Sequence, residues 1–152
     1  MQFDISDRQT GRTTRLAQQI LFDVSAKLDR SNYPVVCAAS KSATTELCKL
    51  LTRFKIRELV YVCIDSSDIF ECIGCLPKNQ IRLYVDDLEC NKPFLQFLQE
   101  LDLTILAHQV LISSGYFAAT SSDAVTPLRV LGLEVTDLRV TSTVKMSPMG
   151  FI

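Results

Sequence analysis

The sequence predicts a three-layer α/β fold: a mainly parallel sheet with helices on both faces, finished by a C-terminal β-hairpin or a pair of edge strands. Three observations predict it. Short apolar runs alternate with longer stretches whose apolar residues recur at helical spacing, the pattern of strands joined by amphipathic helices. The runs at residues 34–39 and 59–64 are continuously apolar rather than alternating, as in strands covered on both faces. Polar residues gather just after the runs, at residues 7–14, 40–42, 65–68 and 86–87, on the side where such sheets bind ligands.

The elements follow in order. Residues 3–5 read as a short first strand and residues 7–11 as a polar turn. Leu16, Ala17, Ile20, Leu21, Val24 and Leu28 then fall on one helical face. Asn32, Tyr33 and Pro34 break that pattern and open the second strand. Ser40 is placed to cap a second helix with Ala43, Leu47, Leu50, Leu51 and Phe54 inward. After the run at 59–64, residues 65–78 are less regular, with one helical turn expected near residues 67–72. Residues 81–85 form a strand ending in Asp86 and Asp87. Pro93 suits the first turn of a helix that turns Phe94, Phe97, Leu98 and Leu101 inward. Residues 103–112 are strand-like at both ends, with His108 near the exit, and residues 113–127 read as a long polar connection. Residues 128–135 and 138–144 alternate and supply the terminal hairpin or edge strands.

Composition narrows the class. The 152 residues suit one domain spanning 1–152. A domain of that size buries roughly 70% of its unfolded surface and needs no covalent staples. Hydrophobic residues at 47% and charged residues at 22% are ordinary for a folded chain. A net charge of −1 supplies no global field for nucleic acid or an anionic membrane, although Arg12, Arg15, Arg53, Lys55 and Arg57 could form a local basic patch. No apolar run approaches the roughly 20 residues of a membrane span. The N-terminal residues are too polar for a signal peptide, so a cytoplasmic location is expected.

Without a secretory signal, the six cysteines predict no disulfide framework. Cys37 and Cys63 read as small buried hydrophobes. Cys72 and Cys75 form a CxxC pair that, with Cys63 and Cys90, would make a four-thiolate zinc set. Zinc ligands usually arrive as two tight pairs; here the outer two cysteines are single and distant.

Chemistry concentrates at residues 7–15, between the first strand and the first helix. The phosphate-binding loop reads G-x-x-x-x-G-K-[ST], and Gly11, Arg12 and Thr13 occupy its last three positions. Gly11 would let backbone amides approach a phosphate. Thr13 would open the helix, where free N–H groups and the dipole favour an anion, and its hydroxyl could ligate Mg²⁺. Arg12 brings the charge. Ser6 stands where the first glycine belongs, and Arg12 replaces a lysine with which arginine is not interchangeable. The strand ending in Asp86 and Asp87 has the form of a Walker B segment, its first acid serving Mg²⁺ and its second orienting water. The bland reading makes both motifs capped turns.

Arg8-Gln-Thr-Gly-Arg-Thr-Thr14 resembles the variant Walker A of viral terminase and helicase-like motors, and residues 10–16 are similar to a group of small phage proteins of the P-loop NTPase kind. The resemblance spans residues 3–112 in element order and two short motifs in identity. It implies an ATP- and Mg²⁺-binding hydrolase in which Arg8, Gly11, Arg12, Thr13 and Thr14 line the phosphates, Thr13 and Asp86 hold the metal, and Asp87 with Arg12 serves catalysis. It also implies a viral origin, hence a host cytoplasm, and a role in nucleic-acid metabolism or packaging. A protein partner or a second copy could complete the site by supplying an arginine. Two alternatives stand beside it. One is a degenerate P-loop protein that acts by protein contacts without turnover. The other is a small-molecule phosphotransferase using residues 113–127 as a lid, ranked last because that stretch holds no arginine or lysine.

Overall fold

A computed structural model describes residues 2–6, 11–26, 33–77, 80–102, 114–121, 128 and 139–142. The order of elements is β1 (Gln2–Ile5), α1 (Arg12–Ala26), β2 (Tyr33–Cys37), α2 (Lys41–Arg53), β3 (Tyr61–Cys63), α3 (Ser66–Cys75), β4 (Ile81–Val85), α4 (Lys92–Asp102), β5 (Ser114–Ala119) and β6 (Arg139–Ser142). The six strands form one sheet in the order β3-β2-β4-β5-β1-β6, and every pairing is parallel.

Chain direction across the sheet decides which face each helix covers. From β1 to β2 and on to β3 the chain steps one way; from β3 to β4 and β5 it steps back. Right-handed crossovers then send α1 and α2 to one face and α3 and α4 to the other, and α1 packs beside α2 and α3 beside α4. The period of two along each strand feeds both layers. Val35, Cys37, Leu83, Val85, Phe117 and Ala119 pack with Ile69, Ile73, Phe94 and Phe97 under α3 and α4. Val36, Tyr84 and Tyr116 pack with Leu16, Ile20, Leu47 and Leu51 under α1 and α2.

The helices follow their sequence signals. Leu16, Ala17 and Ile20 are fully buried on α1, and all four inward residues expected of α4 are buried. Ser40 caps α2, its Oγ accepting from the Ala43 N–H. Polar ties at two levels also fasten α1 to the sheet. Asp23 accepts from Arg82 Nε at 2.7 Å and from the Tyr84 hydroxyl; Asp4 accepts from Arg15 Nε at 2.6 Å.

Three expectations change. Residues 66–75 form a full helix rather than one turn. Asp65 and Asp68 build a reciprocal capping box at its start, which satisfies the first free N–H groups. Residues 114–119, read as polar connection, are a central strand between β4 and β1. This takes six of the fifteen residues of the lid required for the phosphotransferase alternative. Four of the strand's six residues are small, and Gly115 has to be: a Cβ there would lie 2.5 Å from the Phe117 ring. The C-terminal strand is an edge strand, as one of the two expectations had it, but it runs parallel to β1. Leu28, the strand expected within 103–112, His108, and all of 128–135 except the buried Leu128 lie outside the described residues. No described helix is long and apolar enough to cross a membrane.

Candidate functional site

β1 and β2 send their helices to one face of the sheet, whereas β4 sends its helix to the other. At the carboxyl edge between such strands the connections diverge and leave a crevice. The two motifs meet there. β5 alone separates β1 from β4, so the start of α1 faces the end of β4 across one strand.

Gly11 begins the turn into α1 with φ of +83°, a left-handed conformation that glycine adopts without Cβ strain. Its carbonyl accepts from the Arg15 N–H at 2.9 Å, the first helical bond. Arg12 follows and is only 6% exposed. Its guanidinium has three partners: Nη1 donates to the Ser6 carbonyl at 3.0 Å and to Thr120 Oγ1 at 3.2 Å, and Nη2 donates to Asp87 Oδ1 at 3.1 Å. Asp87 adopts left-handed φ and ψ of 48° and 63°, which aspartate tolerates better than most side chains. Thr13 Oγ1 donates to Asp86 Oδ1 at 3.4 Å. Thr14 is half-buried in the same helical turn. Arg8 lies outside the described residues, as do the rest of 7–10.

Burial raises the Asp86 carboxyl above the ordinary carboxylate range, and the neighbouring Asp87 charge adds to this. Arg12 and the Thr13 hydroxyl pull it back, while Glu46 on α2 pushes the same way as burial. A carboxylate made uncomfortable by burial has much to gain from a cation. The Thr13 and Asp86 oxygens also have suitable spacing: 3.4 Å is close to the ~3 Å between adjacent ligands of an octahedral Mg²⁺ with bonds of about 2.1 Å. Mg²⁺ generally takes one or two protein ligands and fills its shell with water and phosphate.

Five supporting residues carried no motif: Asp4, Arg15, Glu89, Asn91 and Thr120. Asp4, fully buried in β1, accepts from Arg15 at 2.6 and 3.2 Å, from the Tyr116 hydroxyl at 3.1 Å and from Ser6 Oγ at 3.2 Å. Arg15 Nη2 also reaches Ser6 Oγ at 2.8 Å. This network fixes the floor beneath residue 11 from behind, and burial with the Asp4 charge raises the Tyr116 hydroxyl pKa. Asn91 is completely buried. Its Nδ2 donates to the Cys37 carbonyl at 2.8 Å and to the Asp86 carbonyl at 2.7 Å, and its Oδ1 caps α4 at the Phe94 N–H. Thr120 ends β5 beside Arg12. Glu89 accepts from the Thr120 and Ser121 N–H groups. An Asn-x-Pro at the start of an apolar helical stretch could have suggested the Asn91 cap. The others are short-range neighbours only in space.

The cysteines do not assemble as a four-thiolate set. Cys63 and Cys72 Sγ atoms lie 3.7 Å apart, whereas Cys75 and Cys90 are exposed. The contact with Cys37, then burial, pushes the Cys63 thiol up, and burial with its neighbour Cys63 pushes Cys72 to about 12, so both stay protonated at neutral pH. Among the described residues no group of three or more His, Cys, Asp or Glu side chains converges as a metal cage.

Neither the protein-family models nor the curated proteins compared with this sequence match it.

Proposed function

We propose that this carboxyl edge is a nucleotide phosphate site of the P-loop kind, that it takes Mg²⁺-ATP, and that the chain hydrolyses ATP slowly. The observation that carries the reading is the meeting of two motifs distant in sequence. Arg12 and Thr13, 75 and 73 residues from their partners, contact Asp87 and Asp86 directly. A phosphate site and its metal carboxylate require such a meeting, which supports this reading over two independent capped turns.

Each residue then has a role. Gly11 and the first N–H groups of α1 receive the phosphates. Thr13 and Asp86 hold Mg²⁺, which neutralises charge building on the phosphate oxygens. Arg12 leaves Asp87 for a phosphate oxygen, and the Asp87 carboxylate orients the attacking water. Arg8 and Thr14 flank the phosphates. A guanidinium from a protein partner or a second copy would add the missing charge. We place the protein in the cytoplasm, that of the host if its origin is viral, serving nucleic-acid metabolism or packaging.

One observation favours the second reading, a nucleotide-binding or interaction module without turnover. Arg12 is committed to three internal partners and is nearly buried, so recruiting it to a phosphate carries an energetic cost. Thermal unfolding with and without Mg²⁺-ATP tests nucleotide binding. A ligand at about 100 times its Kd stabilises by about 2.7 kcal/mol. The expected result is a clear rise in Tm that Thr13→Ala removes. An unchanged Tm at millimolar nucleotide contradicts the ATP site and leaves a module that acts by protein contacts alone; binding without phosphate release selects the second reading.

A further inference from the structure

The segment from Asp87 to Asn91 touches the start of α1 and the carboxyl ends of β2, β4 and β5. Asp87 pairs with Arg12 after β1, Glu89 holds the exit of β5, and Asn91 ties the ends of β2 and β4. Glu89, like Asn91, has no part in the reading above. Its carboxylate takes three short bonds: Thr120 N–H to Oε1 at 2.8 Å and to Oε2 at 2.9 Å, and Ser121 N–H to Oε2 at 2.6 Å. Charge-assisted bonds of this kind are roughly twice as strong as neutral ones.

Thr120 is therefore held twice among the described residues, by Glu89 at its amide and by Arg12 at its hydroxyl. The two holds differ in one respect. Arg12 is the group a phosphate would recruit, and its departure frees the hydroxyl. Glu89 belongs to the turn after β4 and stays.

We propose that Glu89 is a positioning residue that keeps Thr120 in place at the crevice once nucleotide has drawn Arg12 away. The inference rests on the nucleotide reading. A structural tie would matter equally with and without ligand; a positioning residue of this kind matters chiefly in the loaded protein, when the second hold is gone.

The test is the order parameter of the Thr120 side-chain methyl, read by NMR relaxation on the whole chain; the Thr120 amide loses its own acceptor in any Glu89 variant and so reports nothing about position. Wild type, Glu89→Gln and, as a control on α4, Glu100→Gln are compared with and without saturating Mg²⁺-ATP, with thermal shift on the same samples reporting binding. Glu89→Ala serves as a second variant should Gln retain one of the bonds. In wild type and the control, the order parameter should be retained on loading. In the Glu89 variants it should be retained in the free protein, where Arg12 still holds the hydroxyl, and should fall by about half on loading. Equal order in loaded wild type and both Glu89 variants, or an equal loss with and without ligand, overturns the positioning role while leaving nucleotide binding intact. Absence of any Mg²⁺-ATP shift in wild type overturns the nucleotide reading itself, and the proposal with it.

Discussion

Arg12 and Asp86 carry opposite obligations at the residue scale. Arg12 satisfies two oxygens and a carboxylate in the free protein, so Arg12→Ala leaves Asp87 without that counter-charge and should destabilise by about 2–4 kcal/mol in denaturant unfolding. Arg12→Lys replaces a fork by a point charge that cannot serve all three partners; weaker stability with tighter Mg²⁺-ATP binding is the expected pair of results. Asp86 works the other way. Its pKa is raised by burial and by Asp87, so the folded state binds the proton more tightly than the unfolded state does. Stability is therefore lost as pH rises from the ordinary carboxylate value, near 3.9, through the raised folded value. Above that window the ionised group opposes folding. Asp86→Asn keeps an acceptor for Thr13 and removes the charge, so it should raise Tm at neutral pH without ligand and abolish the Mg²⁺-dependent shift. A lower Tm in that variant would mean that the carboxylate contributes to folding, contrary to its burial.

Two connections matter most at the element scale. Asn91 ends the turn after β4, starts α4 and bridges two strand ends with three short bonds. Asn91→Ala removes a donor from the Asp86 carbonyl and one of two donors from the Cys37 carbonyl, which keeps the Asp86 N–H, and it uncaps the helix; the change should cost about 2–4 kcal/mol. At roughly 2–4 °C per kcal/mol for a chain of this size, Tm falls by about 5–15 °C. Gly115 tests β5. An added methyl would sit 2.5 Å from the Phe117 ring and 3.3 Å from the Leu83 carbonyl, so Gly115→Ala should lose roughly 1–3 kcal/mol. A neutral result would place the chain elsewhere at this point.

These elements also show what could be read beforehand. The faces of α1, α2 and α4 were legible because Leu16, Ile20, Leu47, Leu51, Phe94 and Phe97 repeat at helical spacing. Both motifs were legible because each is continuous in sequence. β5 was not, because Ser114, Gly115, Ala118 and Ala119 lack the branched side chains that mark a strand, while the neighbouring 103–112 carries them. α3 was underestimated because its cap is Asp-x-x-Asp rather than the commoner pairing with Glu. Asp4, Arg15, Glu89, Asn91 and Thr120 became visible only when the sheet order brought their strand ends together.

Topology joins these pieces at the scale of the whole molecule. Opposite crossovers on the two faces place the expected ligand edge at the carboxyl ends of the strands, where Asp86, Asp87, the start of α1 and the buried Arg12 guanidinium lie together. The same edge holds polar side chains that a core would not tolerate unpaired: Asp4, Ser6, Arg12, Asp86 and Asn91 are all under 9% exposed and all hydrogen-bonded. Concentrating buried polarity in one crevice is expensive for folding and useful for anion and metal binding.

The most direct measurement is calorimetric titration of ATP into the chain with Mg²⁺ present, repeated on Asp86→Asn. The account predicts one saturable site per chain in wild type and at least a tenfold weaker one in the variant, a loss of about 1.4 kcal/mol or more. No heat of binding in wild type at millimolar ATP, or equal affinity in the two proteins, would contradict it.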